Sequence, residues 1–218
     1  MFLKNRVLPV LAAALVLGIC GCQSAYYKTM ESFGYHKRDI LVSDVEKARE
    51  SQEEASEQFK SALEKFSALT GFNGGDLQEV YERLNDEYEE SAAAAGEVSR
   101  RIDAVEKVGN DLFEEWNTEL SQYTSKKLRN ESRVKLSKTK SRFKRLLAAM
   151  RKAEKKIDPV LNVFHDQVLF LKHNLNAQAV ASLKSELGGL ETDISRLIQD
   201  MQKSIDEANA FIKELKNS

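Results

Sequence analysis

The chain has 218 residues, 31% of them charged, and a formal net charge of −1 at pH 7. Ala, Leu, Glu and Lys are abundant, whereas Pro occurs 2 times and Gly 10 times, a composition typical of long helices and coiled coils. Aromatic residues make up only 8%, and no alternating apolar run predicts a strand, so the composition argues against a sheet-containing or compact globular fold.

The N-terminus has the layout of an export signal. Lys4 and Arg6 precede an uncharged, apolar run, residues 7–19. A run of about 13 residues is too short to cross a hydrocarbon core of about 30 Å, which needs about 20 residues. The basic start followed by a short apolar segment therefore predicts a secretory signal and not a transmembrane helix.

The sequence Ile19-Cys20-Gly21-Cys22 follows this run and resembles the bacterial lipobox, in which Gly or Ala precedes the lipidated Cys. Gly21 precedes Cys22, whereas the aliphatic Ile19 precedes Cys20. The resemblance therefore implies a lipoprotein signal peptide and lipid attachment at Cys22. Two alternatives remain: an ordinary secretory signal with two incidental cysteines, and a cytosolic protein with an apolar start.

Lipid attachment at Cys22 would determine both chemistry and location. Cleavage before this residue removes Cys20 and leaves one acylated cysteine, so neither a disulfide nor a cysteine metal site is expected. Fatty-acid chains such as palmitate, at about 0.8 kcal/mol for each buried methylene, would anchor the chain to a membrane. Gln23, not Asp, follows Cys22. The resemblance to lipoproteins then implies the periplasmic face of the outer membrane, with the inner membrane as the alternative.

Four stripes of apolar residues, spaced mostly by alternating threes and fours, predict helices packed as in a left-handed coiled coil. The sequence "GFNGGD", residues 71–76, interrupts the pattern, and its Asp76 suits a new helix N-terminus. We predict helices at 43–70, 76–122, 130–175 and 178–216. The sequence leaves open whether Pro159 bends the third helix and whether Gly188-Gly189 splits the fourth.

Short connections make neighbouring helices antiparallel. We therefore predict an all-α fold, an elongated antiparallel coiled-coil-like helical bundle of three long helices and one shorter helix. The chain would comprise a signal peptide at 1–21, the lipidated Cys with a membrane-proximal segment at 22–42, and a single bundle at 43–218. The side chains predicted to fill the core are Phe59, Phe66, Leu84, Leu112, Phe143, Phe164 and Leu197.

Charge is segregated along the chain. Residues 44–119 contain 21 acidic and 8 basic residues, whereas residues 120–156 contain 14 basic and 2 acidic residues. The simpler interpretation is that a basic third helix packs on acidic first and second helices, where flanking charges fix the pairing. The alternative is that the basic stretch binds an acidic partner.

The turn between the second and third helices is the candidate contact with lipid. In an antiparallel bundle that begins at a membrane anchor, residues 123–130 return towards the membrane. Each base near an anionic surface contributes about 1 kcal/mol of attraction. The four bases predicted to contact anionic lipid are Lys126, Lys127, Arg129 and Arg133.

No catalytic constellation is recognisable. His165 and His173 lie eight residues apart without a third metal ligand arranged beside them, and "GFNGG" lacks the Lys of a phosphate-binding loop. We therefore expect no enzyme activity, metal or cofactor. Nucleic acid is not an expected partner, because an exported protein does not meet the chromosome and the basic stretch lacks stacking aromatics beyond Phe143.

Several segments carry a resemblance to a known family. They are "HKRDILVSDVEKARESQEEA" (36–55), "FSALTGFNGGDLQEVYERLNDEYE" (66–89), "DLFEEW" (111–116) and "DQVLFLKHNLNAQAVASL" (166–183). Together they resemble an uncharacterised family of Gram-negative helical lipoproteins, catalogued as a domain of unknown function. The resemblance implies the export signal and the helical fold, and it brings no activity, cofactor or catalytic residue. Within the last segment, "VLFLKHNL" is apolar on more than one face, which predicts that several helices or a partner enclose it.

Two classes of function follow. The first is a non-enzymatic envelope lipoprotein that acts as a structural or protein-interaction scaffold, held by acyl chains on Cys22 and engaging an envelope protein. The second is a periplasmic carrier or chaperone that binds lipid or unfolded polypeptide between its helices. An apolar cavity would favour the carrier, and a closed bundle with an exposed apolar patch would favour the scaffold. The chain ends Lys216-Asn217-Ser218, so a covalent link to peptidoglycan through a terminal Lys is not expected.

Replacing Cys22 tests the anchor directly. Cys22→Ser is expected to abolish incorporation of a radioactive fatty acid in growing cells, because the acylated sulfur is removed. Cys20→Ser is the matched control and should leave labelling unchanged, since that residue leaves with the signal peptide. Labelling that survives the loss of Cys22 would show the assignment to be wrong.

Overall fold

The computed structural model describes residues 37–68 and 76–217, and the regular secondary structure in these ranges is helical. The elements are α1 (Lys37–Ala68), α2 (Leu77–Glu119), a short 3-10 turn (Leu120–Gln122), α3 (Lys126–Glu154), α4 (Ile157–His173) and α5 (Ala177–Lys216). The predicted all-α bundle is confirmed. The Leu41–Ser218 part of the chain forms one compact unit, and Met1–Ile40 forms another. Cys22 and the glycines of "GFNGG" lie outside the described residues.

Side-chain caps fix where three of the helices begin. Asp76 accepts a hydrogen bond from the backbone N–H of Gln78 at 2.8 Å, and Asn176 accepts one from Ala179 at 2.9 Å. Ser125 accepts from the N–H of Leu128 at 3.3 Å. Such caps satisfy N–H groups that have no partner inside the helix. The third helix therefore starts at Lys126, four residues before the predicted position.

The predicted third helix is divided into α3 and α4. The helix ends at Glu154, and a new one begins at Ile157. Pro159 lacks an N–H, and its ring collides with the carbonyl four residues earlier, which belongs to Lys155. In α4 the proline lies in the first turn, where its missing N–H leaves no hydrogen bond unmade. By contrast, Gly188 and Gly189 do not interrupt α5, which is continuous from Ala177 to Lys216.

The helices of the larger unit pack as neighbouring antiparallel pairs. Along α2, Trp116 bonds to Ser132 of α3, whereas Tyr88 packs on Phe164 of α4, so α2 lies antiparallel to both. We therefore name α3 and α4 together the α3–α4 arm. It lies between α2 and α5, both of which contact α3 and α4.

α1 completes the bundle beside α2 and α5, and its Phe66 also packs edge-on against Phe164 of α4 at 6.2 Å between ring centroids. Its Glu46 pairs with Lys216, and its Gln52 bonds to Ser204, so α1 runs antiparallel to α5. Its Gln58 bonds to Glu87 of α2. Because α1 borders α2 and α5, and the arm borders the same two helices, α1 and α3 occupy diagonal corners of the bundle.

Six of the seven predicted core side chains are buried. Phe59, Phe66, Leu84, Phe143, Phe164 and Leu197 have relative exposures of 0–3%. The prediction for Leu112 is wrong, because this side chain is half-buried and Phe113 is buried in its place. In the buried stripe of α2, Gly109 is followed by Phe113, four residues later. The predicted stripe continued instead to Leu112, three residues after Gly109. The reason is the Phe143 ring, which lies over Gly109 and packs edge-on against Phe113 at 5.3 Å between ring centroids.

The single polar position in the stripe of α1 also has a structural partner. Gln52 is completely buried, and its side-chain oxygen accepts a hydrogen bond from the hydroxyl of Ser204 at 2.7 Å. Ser204 is completely buried as well. The amide nitrogen of Gln52 has no hydrogen-bond partner in the described residues, so the bond to Ser204 is its single polar contact there. Such a buried polar pair can form in one register only, so it aligns α1 with α5.

The contact between Gly109 and Phe143 makes an unusual prediction for a helix glycine. A Cβ at residue 109 would lie 2.2–2.8 Å from three atoms of the Phe143 ring. Gly109→Ala should therefore lower the free energy of unfolding by about 1–3 kcal/mol through overpacking, although Ala is the better helix former. The measurement is denaturant unfolding followed by circular dichroism.

Gly189→Ala is the matched control, because nothing lies within 4 Å of the added Cβ and the residue is exposed in α5. This variant should be stabilised by about 0.5–1 kcal/mol. In a Phe143→Leu background, Gly109→Ala should cost less than in the parent. A stabilised Gly109→Ala protein would contradict the packing described for Phe143.

Candidate functional site on the α3–α4 arm

The four bases predicted at the turn do not form one group. Lys126, Lys127 and Arg133 are exposed. Arg129 is half-buried, and its guanidinium donates a hydrogen bond to the backbone carbonyl of Tyr123 at 2.5 Å. Arg129 therefore closes the connection between α2 and α3, whereas the other three face solvent.

The same connection lies at the end of the bundle where α1 enters the larger unit. The end of α1 and the beginning of α2 are together, since Lys65 pairs with Glu87. α2 then runs back along α1, which brings its last residues and the α3 N-terminus to the Leu41 end of α1. This is the relative placement of the turn that the antiparallel topology predicted. The position of Cys22 lies outside the described residues.

Four bases of the 120–156 stretch form ion pairs with neighbouring helices. Arg151 donates to Asp103 at 2.7 Å and also binds Glu106, both on α2, as well as Glu154. Burial opposes the charge of Arg151, but these three hydrogen bonds outweigh it and raise the pKa of the guanidinium above its usual value. Arg142 pairs with Glu214 of α5.

Asp200 of α5 is the centre of a second ion-pair cluster. Its side chain is buried, and it binds Lys156, Lys152 at 3.0 Å and Lys203 at 3.3 Å. The hydrogen bond from Lys156 is the largest influence and, with those from Lys152 and Lys203, outweighs burial, so the pKa of Asp200 is held well below its usual range. The cluster joins the break between α3 and α4 to the middle of α5.

The remaining bases of the stretch, apart from Arg129, are free in the described part of the chain. Their side chains form no ion pair and no hydrogen bond with residues 37–68 or 76–217. These nine bases are Lys126, Lys127, Arg133, Lys135, Lys138, Lys140, Lys144, Arg145 and Lys155. The simpler interpretation was that the basic helix pairs with both acidic helices. In the described residues its ion pairs to an acidic helix are those of Arg151 with α2. No ion pair joins α3 to the described residues of α1, because the two helices are diagonal.

One side of α3 combines free bases with exposed apolar side chains. Lys127, Val134, Lys138, Ser141 and Arg145 recur at intervals of seven, four, three and four residues, so they share the side opposite the buried stripe. We name these five residues the basic face. Val134 is 67% exposed at its centre, and Leu128 is 52% exposed at its edge.

The other large exposed apolar residues lie farther along the same arm. Val163, Leu169 and Phe170 are on α4, and Leu175 is in the connection to α5, each at 37–42% exposure. We name these four residues the apolar patch. With Leu128 and Val134 they are the large exposed apolar side chains found in the described residues. The prediction that several helices enclose "VLFLKHNL" holds for its core side only, since Val168 and Leu171 are buried while Leu169 and Phe170 face outward. Enclosure of the outer side by a partner stays a prediction.

Two open grooves lie on the described surface. One between α1 and α5 is lined by Glu53, Glu54, Glu57 and Lys60 among others, together with Ile198 and Ile205. Another follows the basic face and is lined by Val134, Ser137, Lys138, Ser141, Arg142 and Arg145. Both open to solvent, so neither encloses an apolar ligand.

The histidines and acids do not assemble into a metal site in the described residues. His165 is exposed and packs on the ring of Tyr88 at 5.0 Å between centroids. Among the described helices, none is long and apolar enough to cross a membrane.

Asp200, Glu87 and Phe113 were not among the residues predicted for the core or the site. Asp200 and Glu87 are acidic residues beside the core stripes, buried because lysines from other elements cover them. Lys203 is three residues from Asp200 on the same helix, but the proximity of Lys152 and Lys156 depends on how α3 and the α3–α4 break lie against α5, which no local pattern reveals. For Phe113 a signal existed, since it is the larger neighbour of Leu112 and four residues from Gly109.

Fold and surface together define an all-α antiparallel bundle with one basic, partly apolar outer arm. The chain belongs to the family described as "Protein of unknown function (DUF2959)", whose model matches residues 26–215. No curated protein and no solved structure matches the chain. The predicted resemblance is confirmed as membership of a family of unknown function, and the lipoprotein signal and Gram-negative origin stay predictions.

The Asp200 cluster predicts a measurable acid sensitivity. Because the pKa of Asp200 is lowered in the folded state, its ion pairs stabilise the fold at neutral pH, and this contribution disappears as the pH falls below the ordinary carboxyl value of 3.8. Asp200→Asn should therefore lower the free energy of unfolding at pH 7 by about 1–3 kcal/mol. Urea unfolding at several pH values gives the measurement.

Asp193→Asn on the same helix is the control, since Asp193 forms only an exposed pair with Arg196. Its effect should stay within about 0.5 kcal/mol. The difference between Asp200→Asn and the parent should shrink as the pH drops below 3.8. A difference that stays constant down to acid pH would contradict the role of the charged carboxylate.

Proposed function

We propose that the protein is a non-enzymatic envelope lipoprotein that acts as a protein-interaction scaffold. Acyl chains on Cys22 hold it at the periplasmic face of the outer membrane, and the helical bundle presents a binding surface to an envelope protein. The lipobox-like sequence supports the anchor. The observation that carries the scaffold role is a filled bundle core combined with the apolar patch on its outside.

The interior of the bundle supports binding outside and not between the helices. The small residues that would be required for an internal groove, Ala48, Ala55, Ser91, Ala95 and Gly109, are all buried. At Gly109 the Phe143 ring occupies the space that a side chain would take. A carrier needs room for an acyl chain or a polypeptide, and at Gly109 the Phe143 ring has taken that room.

The apolar patch has the features of a protein-docking surface. Phe170 and the aliphatic side chains of Val163, Leu169 and Leu175 are grouped within 13 residues of the chain. Interface centres are enriched in aromatic and apolar residues and depleted of charge. The patch begins at Val163, 37 residues along the arm from Lys126 at the α2–α3 connection, which is about 55 Å at 1.5 Å for each residue.

Site-specific photocrosslinking in intact cells tests this proposal. A photoreactive amino acid at Phe170 should give a discrete crosslinked product of defined mass, because a scaffold holds a particular partner. The same group at Asn110, an exposed position on α2, is the matched control and should give none. A heterogeneous range of polypeptides, or crosslinks to lipid alone, would favour the carrier. Equal products from both positions would contradict a role for the apolar patch.

A further inference from the structure

We propose that the basic face of α3 lies against the surface of an anionic lipid bilayer, with Val134 and Leu128 entering the headgroup layer. The inference rests on the membrane attachment given under the proposed function, and it goes beyond it by assigning which side of the bundle faces the membrane. It replaces a contact limited to the turn by one that extends along α3.

The positive charge of α3 favours an anionic surface. α3 contains 12 basic residues and 2 acidic ones, and no ion pair joins it to the acidic α1 in the described residues. Lys127, Lys138 and Arg145 have no side-chain partner in the described residues. Each such base near an anionic surface strengthens association by about five-fold, within a screening length of about 8–10 Å.

Exposed apolar side chains among these bases favour a lipid surface over a hydrophilic polyanion as the anionic partner. Val134 is at the centre of the basic face, 67% exposed, and Leu128 lies beside it. A hydrophilic polyanion gains nothing from such side chains, whereas membrane-surface helices combine basic residues with apolar ones that enter the lipid interface. Glu131 is the single acidic residue on this side of α3, within reach of Lys127 four residues earlier on the helix.

The basic face is also long and accessible enough to lie on a bilayer. From Lys127 to Arg145 it covers 19 residues, and the 18 steps between them make five helical turns and about 27 Å. The short side chains of Ser137 and Ser141 leave a shallow groove between the bases, where phosphate groups can approach. Between Cys22 and Lys37 there are 14 residues, whose maximum extended length of about 50 Å permits this orientation.

The apolar patch is expected to stay free of the bilayer in this orientation. The centres of the two surfaces lie about 50 Å apart along the arm, and about 27 Å separates Arg145 from Val163. A left-handed supercoil with a pitch of about 150–200 Å turns the outward direction by roughly a quarter of a turn or more from one centre to the other. The bases near the patch, Lys172 and Lys184, should then remain in water.

The experiment uses the mature lipidated protein, purified from membranes and reconstituted into two kinds of vesicle. One contains phosphatidylglycerol and phosphatidylethanolamine, and the other contains phosphatidylcholine only. Flotation reports the anchor, and brief acetylation followed by mass spectrometry reports the accessibility of each lysine. Lys127 and Lys138 should be acetylated about five-fold more slowly on anionic than on zwitterionic vesicles. Lys107, Lys172 and Lys184 should react equally on both.

Two charge-matched variants complete the test. Lys127→Gln/Lys138→Gln/Arg145→Gln should abolish the slower acetylation of the neighbouring Lys135 on anionic vesicles. Lys107→Gln/Lys172→Gln/Lys184→Gln removes the same charge elsewhere and should leave the protection of Lys127 and Lys138 unchanged. Circular dichroism verifies that both variants keep the parent's helix content. Equal protection of Lys135 from acetylation in the two variants would overturn the proposal.

The outcomes separate this inference from the proposed function. Protein that floats on both vesicles without protection of Lys127 and Lys138 is anchored but not oriented, which overturns the inference alone. Protein that floats on neither vesicle overturns the anchor and the inference together. Protein that floats only on anionic vesicles, and not after the basic-face substitutions, supports the basic face while refuting the anchor. Protection produced by soluble polyaspartate but not by vesicles identifies an acidic protein as the partner and overturns the bilayer.

Discussion

The contact of the Phe143 ring with the backbone at Gly109 sets the arrangement of three of the helices. Phe143 belongs to α3, Gly109 to α2, and the ring also packs on Phe211 of α5 at 5.9 Å between centroids. An aromatic ring that enters a position without a side chain brings two helix backbones close together and fixes their relative height. This contact also explains why Phe113 is buried and Leu112 is partly exposed, because Phe113 is the α2 side chain that packs against the Phe143 ring.

Sequence periodicity was sufficient to predict the all-α fold and most of the core residues. It failed on α2, where both Leu112 and Phe113 fit the spacing of the apolar stripe. The three-residue step to Leu112 was as regular as the observed step to Phe113, so only the partner ring on another helix could distinguish them. At Pro159 the local rule predicted a disturbance, but the place of the break, four residues earlier at Lys155, follows from the ring's collision with that carbonyl. The Asp200 cluster was beyond sequence reasoning, because its lysines come from α3, α5 and the break between α3 and α4.

The candidate site shows how block charge becomes a one-sided surface. In the sequence, an acidic stretch is followed by a basic one, which suggests mutual neutralisation. In the bundle, α1 is diagonal to α3, so half of the acidic stretch is turned towards α5 instead, as in the pair of Glu46 with Lys216. Topology alone therefore leaves most of the bases of α3 free, without any need for an unusual conformation. A charge count along the sequence cannot anticipate this, because it contains no information on which helices are neighbours.

The uninterrupted α5 has a consequence for motion. Gly188 and Gly189 are exposed, contribute no side-chain contact, and each weakens a helix by about 1 kcal/mol relative to Ala. They lie in the half of α5 that begins beside the apolar patch, whereas Gln52 and the Asp200 cluster hold the other half. Local opening should therefore be easiest at the patch end, so its backbone amides should exchange with solvent faster than those near Ser204. A partner that covered the patch would slow this exchange, and the bundle would respond to binding by becoming uniformly rigid.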